Sequence, residues 1–271
     1  MVSVLASVNL KGGVGKTAIA VNFAAYCGSK GAKTLLVDLD PQTNATFSCI
    51  TVDEWEKHAA EHGSVADLLG SGSRSAAEGA EHTFLDVVRQ NVFPNVDLIP
   101  SHLELFLVDL DIGGHTARET KLKRALKDHK DSYQIIVCDC PPNLTIPTQN
   151  ALAFATHYVI PISPDYLSAI GVGILRSRIS TLSEELENSL SLAGLIISRK
   201  GRPAKHRDES IDTLRTRFGG DVLDTELTER TAVKDATAVQ KSIFDQDGNG
   251  PASTEFRNVS DEILNRMGIN L

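Results

Sequence analysis

The sequence predicts an α/β fold: a mostly parallel, twisted sheet with helices packed on both faces in three layers. Short β-branched runs alternate with stretches of helical periodicity, the order expected of repeated strand–helix–strand units. The 271 residues suit one large domain, so 1–271 is read as a single unit with no added N-terminal helix-turn-helix. An apolar content of 41% with 5% aromatics implies an aliphatic core, as in a buried parallel sheet.

Strands are expected at 2–8, 33–38, 96–100, 133–139, 158–162, 193–198 and 222–224, where apolar and β-branched residues cluster. Helices are expected to start at Thr17, His115, Thr145, Ser168, Asp208 and Val233. The segment 51–90 is the weakest in pattern, and its small, polar part from Gly70 to Glu81 reads as a surface excursion. At the C-terminal end Phe256, Val259, Ile263, Leu264 and Met267 recur at helical spacing. The opposite face mixes Glu255, Arg257, Asp261, Glu262 and Arg266, unlike the Lys/Arg-rich face of an interfacial anchor. That favours a last helix packed on the core.

The net charge of −8 argues against whole-molecule attraction to DNA or anionic lipid, so any such contact needs a local basic patch. Cys27, Cys49, Cys138 and Cys140 lack paired metal-site spacing, and reduced thiols of a cytoplasmic protein are expected. Residues 2–10 run into a glycine-rich loop without a preceding basic segment, so they read as a first strand, not a signal peptide.

The strongest motif is Lys11-Gly12-Gly13-Val14-Gly15-Lys16-Thr17, after one strand and opening a helix. The ordinary phosphate-loop pattern wants glycine at position 10, where Leu10 stands, while the Gly-Lys-Thr end is intact. Glycines 12, 13 and 15 let the backbone bend around phosphates, and the following helix start adds favourable potential for anions. Lys16 is expected to reach the β- and γ-phosphates and Thr17 to ligate Mg²⁺. A ligand-free glycine-rich turn is the competing reading, and Lys11 competes with an ordinary solvated lysine. Two apolar strands end in carboxylates, Asp38 with Asp40 and then Asp139, at the sheet edge where ligands bind in open α/β folds. Taken singly, each aspartate also suits a helix cap.

The segments 11–17, 38–46 and 139–142 together resemble the ParA family of deviant Walker, P-loop ATPases within the ParA/MinD superfamily. The likeness extends to Val21–Ala24, 97–101, 121–126, Pro164-Asp165-Tyr166-Leu167 and Gly171. The resemblance implies a three-layer P-loop NTPase fold, ATP and Mg²⁺ as cofactors, and slow ATP hydrolysis stimulated by a ParB-like or other adaptor. It implies that Lys11 is the signature lysine, reaching the partner's phosphates in an ATP-dependent homodimer. Lys16 is then the phosphate-loop lysine, and Gly12, Gly13, Val14, Gly15, Thr17 and Ala18 complete the nucleotide-binding loop. Thr17, Asp40 and Asp139 are implied around the metal, with Asp40 orienting or activating the attacking water. Ala18 departs from the pattern, standing where many members carry a second threonine. The expected adenine-side segments, 197–199 and 227–230, are also poorly matched.

Arg199, Lys200, Arg202, Lys205 and Arg207 form a basic run that reads as a patch for nonspecific DNA binding, with a solvated basic loop as the alternative. Together with this patch, the resemblance implies a partitioning role on DNA, with nucleoid association, for a plasmid, chromosome or protein cargo. A MinD-like membrane-cycling ATPase is the runner-up, and a membrane partner is disfavoured by the last helix. An iron–sulfur reductase of the nitrogenase-iron-protein type would want cluster cysteines in loops, and a bacterial tyrosine kinase would want a tyrosine-rich tail.

Overall fold

The strands are β1 (Ser3–Ser7), β2 (Thr34–Asp38), β3 (Arg89–Phe93), β4 (Val96–Ile99), β5 (Ile135–Asp139), β6 (His157–Ile162) and β7 (Ser191–Ile197). In this computed structural model, which describes residues 2–70, 82–165, 168–201 and 204–271, they make one seven-stranded sheet. The order is β3-β4-β2-β5-β1-β6-β7, parallel throughout except for β3 against β4. The longer helices are α1 (Lys16–Ser29), α2 (Val52–His62), α3 (Ile146–Phe154), α4 (Ser168–Glu185), α5 (Lys205–Phe218), α6 (Thr231–Ala238) and α7 (Pro251–Arg266).

Successive strand residues point to opposite faces, which divides the core into two layers. Leu35 and Val37 of β2 join Val172 and Leu175 of α4 on one face, while Leu36 joins Phe23 of α1 and Ile263 of α7 on the other. Burying each such side chain contributes about 1.5–3 kcal/mol relative to exposure. Cys138 and Cys140 share the first of these faces, and all four cysteines are buried and unpaired. Gly28 lets α1 approach the β3–β4 turn: a Cβ there would meet the Pro94 carbonyl oxygen at 2.3 Å.

One feature of the strand order positions the site. β5 lies between β2 and β1, so Asp38 stands opposite Asp139 in register and Ser7 stands on its other side. The carboxyl ends of three strands therefore converge beside the loop that leads into α1.

Six of the seven expected strands form, and the last helix packs as expected, with Phe256, Val259, Ile263, Leu264 and Met267 buried. The segment 222–224 does not become a strand; it touches β7 through a single bridge, Leu195 to Val222. β3 was not expected, because Arg89-Gln90-Asn91 is an exposed, polar edge without apolar alternation. α2 also went unread, although Thr51 and Glu54 form a reciprocal capping box that marks its start. The part of the expected excursion at 71–81 lies outside the described residues. Among the described residues no helix is long and apolar enough to cross a membrane.

α2 carries a buried histidine, His58, whose Nε2 lies 2.9 Å from the Val87 carbonyl oxygen. Burial lowers its pKa; His62 and Arg89 act in the same direction, while the Val87 hydrogen bond and Glu61 oppose them. A base with a depressed folded pKa leaves the unfolded chain to take up the proton first as pH falls. Stability from His58 is therefore lost on acidification below its ordinary value of about 6.5. The urea midpoint of the wild type should fall between about pH 7.5 and about pH 5.5 more steeply than that of His58→Gln. Equal slopes would assign the acid sensitivity to other groups.

Candidate functional site

The loop between β1 and α1 depends on two glycines in the left-handed region, Gly13 at φ 72° and Gly15 at φ 89°, where a side chain is strained. Gly15 is the N-cap of α1 and offers no side-chain cap. The first-turn N–H groups of α1 are thus left for an outside acceptor, and the helix dipole favours an anion there. Several loop carbonyls are already engaged. Ser198 Oγ donates to Val14 O at 2.5 Å, Arg199 Nη1 to Gly13 O at 2.5 Å, and Lys16 Nζ to Lys11 O at 3.1 Å. With those acceptors occupied, what the loop has left to offer a ligand is chiefly N–H donors.

The three aspartates fall into different roles. Asp38 accepts from Asp40 N at 3.1 Å and from Thr46 N and Thr46 Oγ1, both at 2.8 Å. Burial pushes its carboxyl up to about 7 against the pull of these hydrogen bonds, so it is an anchor for the 40–46 loop. Asp40 borders the main cavity, its Oδ1 accepting from Gln42 N at 3.0 Å. Asp139 is fully buried, and neither carboxylate oxygen has a hydrogen-bond partner of regular geometry among the described residues. Burial raises its pKa well above the carboxylate range and the Asp38 charge adds to this, while the Thr17 hydroxyl and Lys16 oppose. Lys16 is 5% exposed; burial lowers its ammonium pKa, and the charges of Asp139, Cys140 and Asp40 act against that.

Lys16 and Asp40 border a cavity of about 500 Å³, while Asp38 and Asp139 lie buried and do not line it. Gly12, Gly13, Gly15, Lys16, Thr17 and Ala18 form one wall, with Asp40 at its edge. Ser198, Arg199 and 227–230 form the facing wall, so both segments expected on the adenine side do line the cavity. Val233, Thr237 and Lys241 extend it, residues that no motif marked. The 227–230 wall and the segment leading into it are fixed by α7: Glu255 accepts from Thr228 N at 2.8 Å and Arg230 Nη2 at 2.7 Å, and Glu262 accepts from Asp224 N and Thr225 N, both at 2.8 Å. Asn22 joins α1 to the far side, donating to Ala18 O at 2.8 Å and accepting from Ile243 N at 2.8 Å. Apart from Asn22 with Ala18, these partners are far apart in sequence, and no local pattern announces them.

Lys11 does not line the cavity. Its Nζ lies 2.5 Å from Asp165 Oδ2 and 3.4 Å from Ser163 Oγ, with the side chain 55% exposed. Burial disfavours the Asp165 carboxylate, but hydrogen bonds led by Lys11 outweigh it and hold its pKa low. The basic run is divided. Arg199 bridges Gly13 O and Glu229, and Lys200 pairs with Glu226 at 2.6 Å. Lys205 is exposed at the start of α5, Arg207 is half-buried, and Arg202 lies outside the described residues.

A buried carboxylate that lacks a hydrogen bond of regular geometry among the described residues, beside a phosphate-type loop, fits a divalent cation. Thr17 and Asp139 would be the residues to hold it, and among the described residues no cluster of three His, Cys, Asp or Glu side chains could do so alone. A cation held by one hydroxyl and one carboxylate completes its shell with ligand phosphates and water, as Mg²⁺ does.

Comparison with known proteins identifies the family. An AAA domain family model matches residues 2–192. The chromosome-partitioning ATPase Soj of Treponema pallidum is 31% identical over 97% of this chain and 98% of its own length. A plasmid partition protein from Borrelia burgdorferi superposes with a TM-score of 0.75 at 22% identity, over 98% of this chain and 99% of that one. A cobyrinic acid a,c-diamide synthase from Mycobacterium smegmatis, with bound ATP analog and magnesium, superposes with a TM-score of 0.79 at 24% identity, over 98% and 96%. Those two structures share the fold; the sequence relationship and the family model carry the assignment further. With its phosphate loop, the lysine at the loop's start and a partitioning ATPase this similar along nearly its whole length, the chain belongs to the ParA family of P-loop ATPases.

Proposed function

We propose that the chain binds Mg·ATP in the 500 Å³ cavity, hydrolyses it slowly, and uses it to switch between a monomer and a homodimer. The observation that carries this reading is Asp139, a buried carboxylate with no hydrogen bond of regular geometry among the described residues, beside Lys16 and an uncapped helix start. Bound Mg²⁺ supplies charge neutralisation for the phosphates and for Asp139. Lys16 and the loop N–H groups hold the triphosphate, and Asp40 positions the attacking water. Phosphoryl transfer needs such positioning and electrostatics more than covalent chemistry. Lys11 serves the partner's nucleotide, which ties turnover to assembly, and a ParB-like adaptor or other partner stimulates it.

The matrix we infer is DNA, bound nonspecifically to partition or position a plasmid, chromosome or protein cargo. The likeness to a chromosome-partitioning ATPase supports this reading. A membrane-cycling, MinD-like role is disfavoured, because α7 turns its apolar face to the core and spends its acidic side chains on the cavity wall and the segment leading into it.

Lys16→Ala should lower ATP affinity at least about tenfold, since it removes a charge-assisted contact of about 1.5–3 kcal/mol. Isothermal titration with ATP and Mg²⁺ measures this, and wild-type affinity would remove the phosphate-loop assignment.

Lys11→Ala should bind ATP about as well as the wild type but fail to dimerise on it, and turnover should drop with assembly. Facing triphosphates repel, and the variant lacks the charge that offsets them. Light scattering with ATP and Mg²⁺ reads the outcome; a dimer as tight as wild type would make Lys11 a surface lysine.

Charge reversal at Lys205 and Arg207 tests the DNA reading without touching Arg199, which is engaged at the loop. ATP-dependent DNA co-sedimentation at low salt should weaken several-fold, with a shallower salt dependence. A wild type with no ATP-dependent DNA affinity at low salt would leave the partitioning reading without its matrix.

A further inference from the structure

Asp40 is held from several sides, and one of its holds comes from a residue outside every nucleotide-binding motif. Its N–H donates to Asp38 Oδ1, and its carbonyl accepts from Thr43 N at 2.8 Å. Thr43 sits at φ 60°, a conformation that a β-branched residue adopts only when its surroundings impose it. The remaining hold is Ser101, just beyond β4, whose Oγ donates to the Asp40 carbonyl at 2.6 Å.

All three polar groups of Ser101, which is fully buried, are engaged. Its N–H donates to Thr46 Oγ1 at 2.9 Å, and that hydroxyl in turn donates to Asp38 Oδ2. Its carbonyl accepts from the indole Nε1 of Trp55 at 2.8 Å. Trp55 is the only tryptophan of the chain. It stacks on His102 with ring centroids 5.4 Å apart and meets Phe47, in the short helix that ends the Asp40 loop, edge-on at 5.5 Å. Ser101 thus ties the water-positioning loop on one side to α2 on the other.

We propose that Ser101 is the positioning residue for Asp40, and that through its carbonyl it carries the state of the Asp40 loop to Trp55. The chemistry is geometric. A carboxylate that orients water must be fixed in place, and a small displacement costs rate without costing nucleotide binding. Ser101 does not itself line the cavity and meets Asp40 only at its backbone carbonyl, so its loss should spare the ligand. The same bond network makes Trp55 an intrinsic reporter, since rearrangement at Asp40 moves the acceptor of its indole N–H.

This inference rests on the reading of Asp40 as the group that positions water, so the experiment carries a control for that reading. Wild type, Ser101→Ala, Ser101→Thr and Asp40→Ala are compared for kcat, KM and tryptophan emission with and without ATP and Mg²⁺. Ser101→Ala should lower kcat about tenfold with KM nearly unchanged. It should also shrink the ATP-induced change in Trp55 emission, while Ser101→Thr, which keeps the hydroxyl, restores both. Wild-type kcat in Ser101→Ala alongside an inactive Asp40→Ala would overturn the Ser101 proposal alone. Full turnover in Asp40→Ala would overturn the Asp40 reading and this proposal with it. Should Ser101→Ala fail to fold, the wild type still decides: Trp55 emission unmoved by ATP that a separate titration shows to be bound sinks the relay, and a shifted emission upholds it.

Discussion

The placement of β5 between β2 and β1 brings two carboxylates to neighbouring register positions inside a sheet buried on both faces. Ionised and unpaired, each would cost several kcal/mol. The fold resolves the two differently. Asp38 receives three donors from the 40–46 loop, and supplying them fixes the path of that loop and so the position of Asp40. Asp139 receives no hydrogen bond of regular geometry among the described residues, and its burial, which raises its pKa, favours a proton or cation to answer its charge. The strand order therefore creates an electrostatic demand at one point, beside Lys16 and Thr17. A ligand that meets it binds the folded state alone, and its binding free energy stabilises the fold.

The opposite side of the cavity is set by α7. Glu255 and Glu262 are seven residues apart, two turns along one helix face, and each grips backbone N–H groups of the 224–230 segment. Arg266 grips the carbonyls of Asp221 and Val222 at 3.1 Å each. Acids meet donors and the arginine meets acceptors, which explains why the polar face of this helix mixes signs. One helix thereby buries apolar residues against the sheet and holds a cavity wall with its other face. It has little left with which to lie on a lipid surface.

What was legible in the sequence is what is local. The loop from Lys11 to Thr17 and the strand ends at Asp38, Asp40 and Asp139 are contiguous, and each can be read as strand followed by loop or helix. Contributions that cross the fold were not legible: Ser101 and Asn22 lie in segments that the family resemblance picked out, but their partners, like those of Glu255 and Glu262, are chosen by topology. The exposed edge strand β3 carries no alternation to read, and α2 was lost although its capping box was in plain view. Arg199 shows a further limit. It heads a basic run in the sequence, yet at the end of β7 its guanidinium turns back onto the phosphate loop and Glu229. Charges adjacent along a chain share a surface only if the backbone lets them, and a strand end beside a ligand loop does not.

Lys11 shows how such a fold can hold a group in reserve. The Lys11–Asp165 pair is more than a third exposed on both sides. Exposed pairs are worth about 0–1 kcal/mol, because water screens the attraction and two side chains lose freedom. That is enough to give the ammonium a resting place, and too little to keep it there against a stronger field. In the proposed dimer the competing field is a triphosphate, several charges gathered in a cleft from which water is partly excluded, where Coulomb terms grow as the effective dielectric falls. The difference in burial between the two lysines of the loop then accounts for their separate duties. Lys16, 5% exposed and bonded to the loop itself, is committed to its own subunit; Lys11 is held at its backbone by Asn9 and Lys16, but its ammonium rests only on an exposed surface pair with Asp165 and Ser163 and can be exchanged.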